Sequence, residues 1–205
     1  MAAAPAVTGA PHCAAVLGQD PAPALRMLVL GTALFPLAVL PVFWVLPEMG
    51  DAAAAGLAAL RLLGVIVVAV GLGFAVRGPL LGARPPERIP LLDGVSMLLL
   101  AVIVVGLMAA VGPAVRETPS QFALWLLGVC VVIFGFQFLA FRLLPETPGR
   151  AGLAMIAGNR NVALFLVALP ADVSGPLLLF IGCYQIPMYL TPMVMGRLYT
   201  RAGTG

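Results

Sequence analysis

The chain has no lysine and a single histidine, and charged residues make up only 9% of its 205 positions. Soluble domains carry about 25% charged and about 45–50% apolar residues, whereas this sequence is 62% hydrophobic. That imbalance excludes a water-soluble globule, a disordered tail and a nucleic-acid-binding module. The net charge of +3 comes from 11 arginines against 8 acidic residues. In a membrane chain such cations sit mostly in loops and set orientation, so they are no footprint for DNA or RNA. The three cysteines, Cys13, Cys130 and Cys183, lie far apart in or beside apolar runs. They read as small apolar fillers, not as a disulfide or metal framework. H-E-x-x-H, G-x-S-x-G, the phosphate-binding G-x-x-x-x-G-K-[ST] and C-x-x-C are all missing; no enzyme chemistry and no cofactor are expected.

What is present is apolar length. A hydrocarbon core of about 30 Å needs roughly 20 apolar residues in a helix. Such stretches occur at 25–46, 55–76, 94–112, 121–141 and 175–196, with a weaker one at 151–170 that carries AGNRN in its middle. The connections are short and rich in Pro and Gly, which predicts an all-α integral membrane protein built as an antiparallel bundle. Residues 25–198 form its six-span body and 199–205 a tail. Residues 1–24 are a half-span and loop: they lack the basic start and small-residue exit of a signal peptide, and GAPHCAAVLG spans only half a membrane. Arg77, Arg84, Arg88, Arg142, Arg150, Arg197 and Arg201 fall on one side, with only Arg116 on the other, beside Glu48, Asp51, Glu117 and Asp172. The arginine-rich side, with the C-terminus, is expected in the cytoplasm. The lack of lysine beside abundant Ala, Gly, Pro and Arg fits a GC-rich bacterial genome, hence a multi-pass protein of the inner membrane. Trp44 and Trp125 are then both expected near the outer interface.

The two ends of the sequence resemble each other. Gly9-Ala10-Pro11-His12 followed by CAAVL matches Gly158-Asn159-Arg160-Asn161 followed by VALFL, with Pro21 and Pro170 each twelve residues beyond the glycine. Pro36 and Pro41 are matched by Pro187 and Pro192, again five apart. By the loop count 25–46 and 175–196 cross in opposite directions, so the copies form inverted repeats. Polar breaks at corresponding positions of such repeats point to a binding site at the membrane midplane. An irregular segment at that depth is tolerated only where protein or a wet cavity satisfies its backbone.

Arg160 is the deepest charge. An arginine at a helix centre costs about 2.5–3.5 kcal/mol on insertion scales, and no acid lies within a span except Asp93 at a span edge. Two readings follow: an anionic ligand faces Arg160, or backbone carbonyls of the unwound segment absorb its charge. Asn159 and Asn161 flank it. His12 is either a proton carrier, a role open to histidine near neutral pH, or a hydrogen-bonded structural residue. Gln185 faces the site or bonds across helices, and Gln137 and Thr32 carry weaker versions of the same signal. Arg26 and Arg61 sit near helix ends, where they can snorkel.

The motifs TGAPHCAAVLG with ALRMLVLGTALFPL, and AGNRNVALFLVALP with QIPMYLTP, resemble the C-terminal part of the bile acid:sodium symporter superfamily. That resemblance implies inverted repeats whose broken fourth and ninth helices cross at the midplane. It equates 9–18 with the second half of helix four, 25–46 with helix five, and the remaining spans with helices six to ten. It also implies that three preceding helices lie outside this chain, in a longer gene product or a complementary membrane chain. The family's ninth-helix sodium motif, Glu-x-Gly-x-Gln-Asn, reads here Ile156-Ala157-Gly158-Asn159-Arg160-Asn161. Ile156 stands for the carboxylate and Arg160 for the glutamine, while the Ser-Asn pair of helix four becomes Pro11-His12. A site changed in that way favours an anion over sodium. The expectation is a secondary carrier for a small organic anion, with Arg160, Asn159, Asn161, His12 and Gln185 binding it. The alternative is a non-transporting membrane subunit or remnant, distinguished by absence of flux and by association with a second chain or copy.

Overall fold

The structure, a computed structural model, describes residues 3–16, 18–45, 52–81, 88–147, 149–168 and 171–201. Glu48, Asp51, Arg84, Pro170 and the tail beyond Arg201 lie outside the described residues, as do the side chains of Trp44, Arg88, Asp93, Asp172 and Arg201. Among the described residues every regular element is helical: α1 (Ala10–Val16), α2 (Ala22–Val45), α3 (Ala52–Leu81), α4 (Arg88–Leu107), α5 (Val111–Glu117), α6 (Pro119–Leu143), α7 (Arg150–Gly158), α8 (Phe165–Ala168) and α9 (Ala171–Arg201). A single 3-10 turn, Val162–Leu164, precedes α8.

Among the described residues five segments are long and apolar enough to cross a membrane: Ala22–Val42, Ala53–Gly78, Gly94–Glu117, Pro119–Leu143 and Leu177–Tyr199. The chain is thus a multi-pass, helical membrane protein, with five such helices where the sequence suggested six spans. The missing one is 151–170. Its α7 stops at Gly158, three non-helical residues follow, and only short helical pieces continue from there to Ala168. The third span is also interrupted, by a turn at 108–110.

Two contacts fix how α6 and α9 run. Trp125 and Phe180 meet edge to face at 5.7 Å between centroids, and Phe141 meets Tyr199 at 5.5 Å. The starts pack together and so do the ends; the two helices are parallel. The segment between them must therefore return from the Phe141 end to the Phe180 end, and it does so through α7, the break and α8. Arg150 anchors the near end: its guanidinium donates from Nε (2.8 Å) and Nη2 to the Phe141 carbonyl, stacks 4.2 Å from the Phe141 ring centroid and pairs with Glu146 at 3.3 Å. Gly149, left-handed at φ 86°, makes the turn into α7.

Burial is uneven in a way that suits lipid. In α6 the fully buried residues are Val129, Ile133, Gln137 and Phe141, every fourth position, the stripe of a helix packed mainly on one side, with Phe122 and Phe134 half-buried beside it. α9 is the most enclosed span, whereas α3 and α4 present Val67, Val68, Leu72, Leu98, Val102 and Val105 bare. One end of the core joins α2 to α8 through Phe35 and Phe165, edge to face at 5.1 Å.

Close approach of α7 to α6 depends on Gly158. A Cβ built there would collide with the Ile133 carbonyl and lie 2.7 Å from Gln137 Cγ. Overpacking of this kind costs about 1–3 kcal/mol. Gly158→Ala is therefore expected to lower the thermal unfolding midpoint in detergent. Gly64→Ala, whose Cβ meets nothing within 4 Å, leaves the midpoint unchanged or raises it.

Candidate functional site

Ending α7 at Gly158 strands backbone groups at mid-height of the bundle, and every one from the Gly158 carbonyl to the Asn161 carbonyl finds a partner. The Tyr184 hydroxyl donates to Gly158 O and accepts the Arg160 N–H at 2.7 Å. Asn159 N–H donates to Met155 O at 2.9 Å, and the carbonyls of Arg160 and Asn161 accept from Val162 and Leu164 at 3.0 and 3.3 Å. The remaining two groups are met by the start of the chain: Val7 N–H donates to Asn159 O at 3.2 Å and Asn161 N–H to Pro5 O at 2.8 Å. Residues 5–7 thus run antiparallel to 159–161, with Ala6 opposite Arg160. Ala4 and Ala6 are fully enclosed, and Gly31 of α2 lets Pro5 lie against it, a Cβ there falling 3.3 Å from Pro5 Cβ.

Behind the break lies a buried polar cluster. Tyr199 donates its hydroxyl to Gln137 Oε1 at 2.9 Å. Gln137 Nε2 donates to Asn159 Oδ1 and to Thr191 Oγ1, both at 3.1 Å. Asn159 Nδ2 donates to Thr191 Oγ1 at 3.1 Å, and the threonine hydroxyl passes on to Pro187 O at 3.1 Å. All four side chains are buried and all are satisfied, as burial requires.

In front of the break is a cavity of about 160 Å³, lined by Arg160, Asn161 and Val162 of the break, Thr8 and Cys13 of the N-terminal segment, Gln185 and Tyr189 of α9, and Leu100, Ile103 and Leu107 of α4. Arg160 is the charge on this wall. Its Nη1 lies 3.4 Å from Ala4 O, at the long limit of a hydrogen bond, and its buried Nε has no partner. Among the described residues the one ion pair is Arg150–Glu146, so no carboxylate neutralises Arg160. Asn161 Nδ2 reaches Thr8 Oγ1 at 3.4 Å. The Gln185 side chain is buried against the cavity, and its amide bonds none of the described residues.

The five residues singled out from sequence therefore divide. Arg160, Asn161 and Gln185 share the cavity. Asn159 touches it, but its amide is spent on Gln137 and Thr191, which makes it a support of the break. His12 stands apart, exposed in the first turn of α1 and off the cavity wall. The reason is a shift of register: the N-terminal segment is extended at 5–7, and helix has already begun at Ala10, so Ala6 and not His12 lies across from the break. Tyr184, Thr191 and Tyr199 were missed, although Tyr184 and Thr191 lie seven residues apart, on one face of a helix. At least three histidine, cysteine or acidic side chains close enough to hold a metal ion do not occur together among the described residues.

No family model matches the chain, and no match is found among curated proteins.

Removing a hydroxyl that serves two buried groups strands both, at about 1–3 kcal/mol for each. Tyr184→Phe is expected to lower the unfolding midpoint in detergent clearly. Gln137→Leu and Thr191→Val, combined, should cost less than the sum of the single changes, because they remove both sides of one bond.

Proposed function

We propose that the chain is a carrier-type protein for a small organic anion, held in a bacterial inner membrane with its C-terminus in the cytoplasm. The broken segment 150–168 and the N-terminal segment 3–16 act as the paired halves of inverted repeats, and access to the site alternates around them. One observation carries this reading: a guanidinium without an acid partner among the described residues stands on a cavity wall at mid-height of an apolar bundle. A cation so placed is a functional site by default, because its burial is costly and a ligand is what compensates it. The mutual bonding of 5–7 and 159–161 supports the repeat reading, with the first break five residues earlier than the sequence match, which set 10–12 against 159–161, placed it.

In the mechanism this supports, the anionic head of the substrate meets Arg160, which donates charge-assisted hydrogen bonds of the strong kind. Asn161 and Gln185 add neutral donors beside it. Tyr184, Gln137, Asn159 and Thr191 hold the break in shape, so the guanidinium is aimed before the ligand arrives. The resemblance to sodium symporters supports the architecture but not the ion. Ile156 is buried and apolar where that family's carboxylate would stand, so uptake independent of sodium is expected.

Reconstitution into liposomes with a panel of labelled organic anions tests the proposal. Wild type should take up at least one anion at a rate unchanged by a sodium gradient. Arg160→Ala should reduce that uptake by about 10- to 100-fold, the worth of hydrogen bonds to a charged group. Undiminished uptake by Arg160→Ala contradicts the site. Absence of any flux, with stable co-purification of another membrane chain, supports the non-transporting alternative.

A further inference from the structure

We infer that the ligand of this cavity is a monoanion whose apolar body is no larger than a single six-membered ring, such as a benzoate-like or branched short-chain monocarboxylate. The inference rests on the anion-site proposal above and narrows it by size and by charge. Size comes first. The cavity holds about 160 Å³, and an apolar cavity of about 150 Å³ admits benzene. A fused polycyclic body exceeds that volume and would have to protrude past Ile103 and Tyr189, lining residues that are half-exposed.

Charge comes second. Among the described residues only Arg160 contributes a cation to the lining, and part of its guanidinium already leans on Ala4 O. A second carboxylate on the ligand would lie in the apolar remainder, among Leu100, Ile103 and Leu107 of α4. An ionised group left there without a partner is strongly disfavoured. The polar groups are also unevenly spread: Arg160 and Asn161 belong to the break, Thr8 follows the segment bonded to it and Gln185 comes from α9, while the α4 side is aliphatic. A head-and-body ligand fits that division; a compact polar one does not.

Cys13 supplies a reporter that does not depend on transport, since its side chain is half-buried on the same cavity, while Cys183 is fully buried. The protein carrying Cys130→Ser, in lipid nanodiscs, is labelled with N-ethylmaleimide and the modification of Cys13 is followed by mass spectrometry. At ten times its dissociation constant, benzoate should slow labelling by about tenfold, through occupancy alone. Benzyl alcohol, phthalate and 1-pyrenecarboxylate at the same concentration should leave the rate within about twofold of the ligand-free value, their occupancy being slight. Arg160→Gln should abolish protection by benzoate; if that variant does not fold, the contrast between benzoate and benzyl alcohol on the parent decides the point. Protection by pyrenecarboxylate or phthalate equal to that by benzoate overturns the size or the charge limit while leaving an anion site intact. Equal protection by benzyl alcohol, or none by any anion, overturns the anion site itself.

Discussion

A helix that stops in the middle of an apolar bundle exposes N–H and C=O groups that lipid cannot satisfy, and the arrangement around residues 158–161 follows from meeting that demand. The groups are met from three directions: by the local turn through Val162 and Leu164, by one tyrosine hydroxyl from α9, and by an extended stretch at the start of the chain. Each solution shapes the rest. Tyr184 must be buried and must stand level with Gly158. Residues 5–7 must be straight, so α1 cannot begin before them. Gly158 must lack a side chain so that the end of α7 can reach α6. The break is thus a fixed, fully bonded structure, and the segment is irregular without being loose.

Against this complete backbone accounting, Arg160 is the exception. The Gln137–Asn159–Thr191–Tyr199 cluster a few ångströms behind it leaves nothing unmet. The guanidinium has one long bond to Ala4 O and a buried Nε with none. Partly satisfied buried charges are destabilising where they serve structure alone, and sites kept at the expense of stability are characteristic of function. The same frame that satisfies the backbone also carries this charge on the cavity wall, and that coupling of a rigid support to an unmet cation is the basis of the anion-carrier proposal.

Much of this arrangement was legible in the chain itself. Runs of apolar residues located the spans to within a few positions, because length and hydropathy are local properties. The break was visible as AGNRN inside an apolar stretch, and its depth made Arg160 stand out. What the sequence could not supply was partnership at a distance. Asn159 looked like a ligand-binding amide until Thr191, thirty-two residues on, and Gln137 took its hydrogen bonds. His12 looked equivalent to Asn161 because a repeat match aligns letters, while the backbone changes from extended to helical between Val7 and Ala10. The stretch Ala4–Val7 carries no polar side chain at all; its contribution is made by backbone groups, which leave no mark on composition.

The central claim is that Arg160 is retained for a ligand and not for the fold, and the thermal stability of Arg160→Met in lipid nanodiscs, in buffer free of organic anions, addresses it most directly. Methionine keeps the length of the side chain and removes the unmet charge, so the account predicts a midpoint equal to or above that of wild type, with stabilisation by benzoate lost. A midpoint well below wild type, with the wild type indifferent to benzoate, would show that the guanidinium is a strut to the Ala4 carbonyl and would contradict the account.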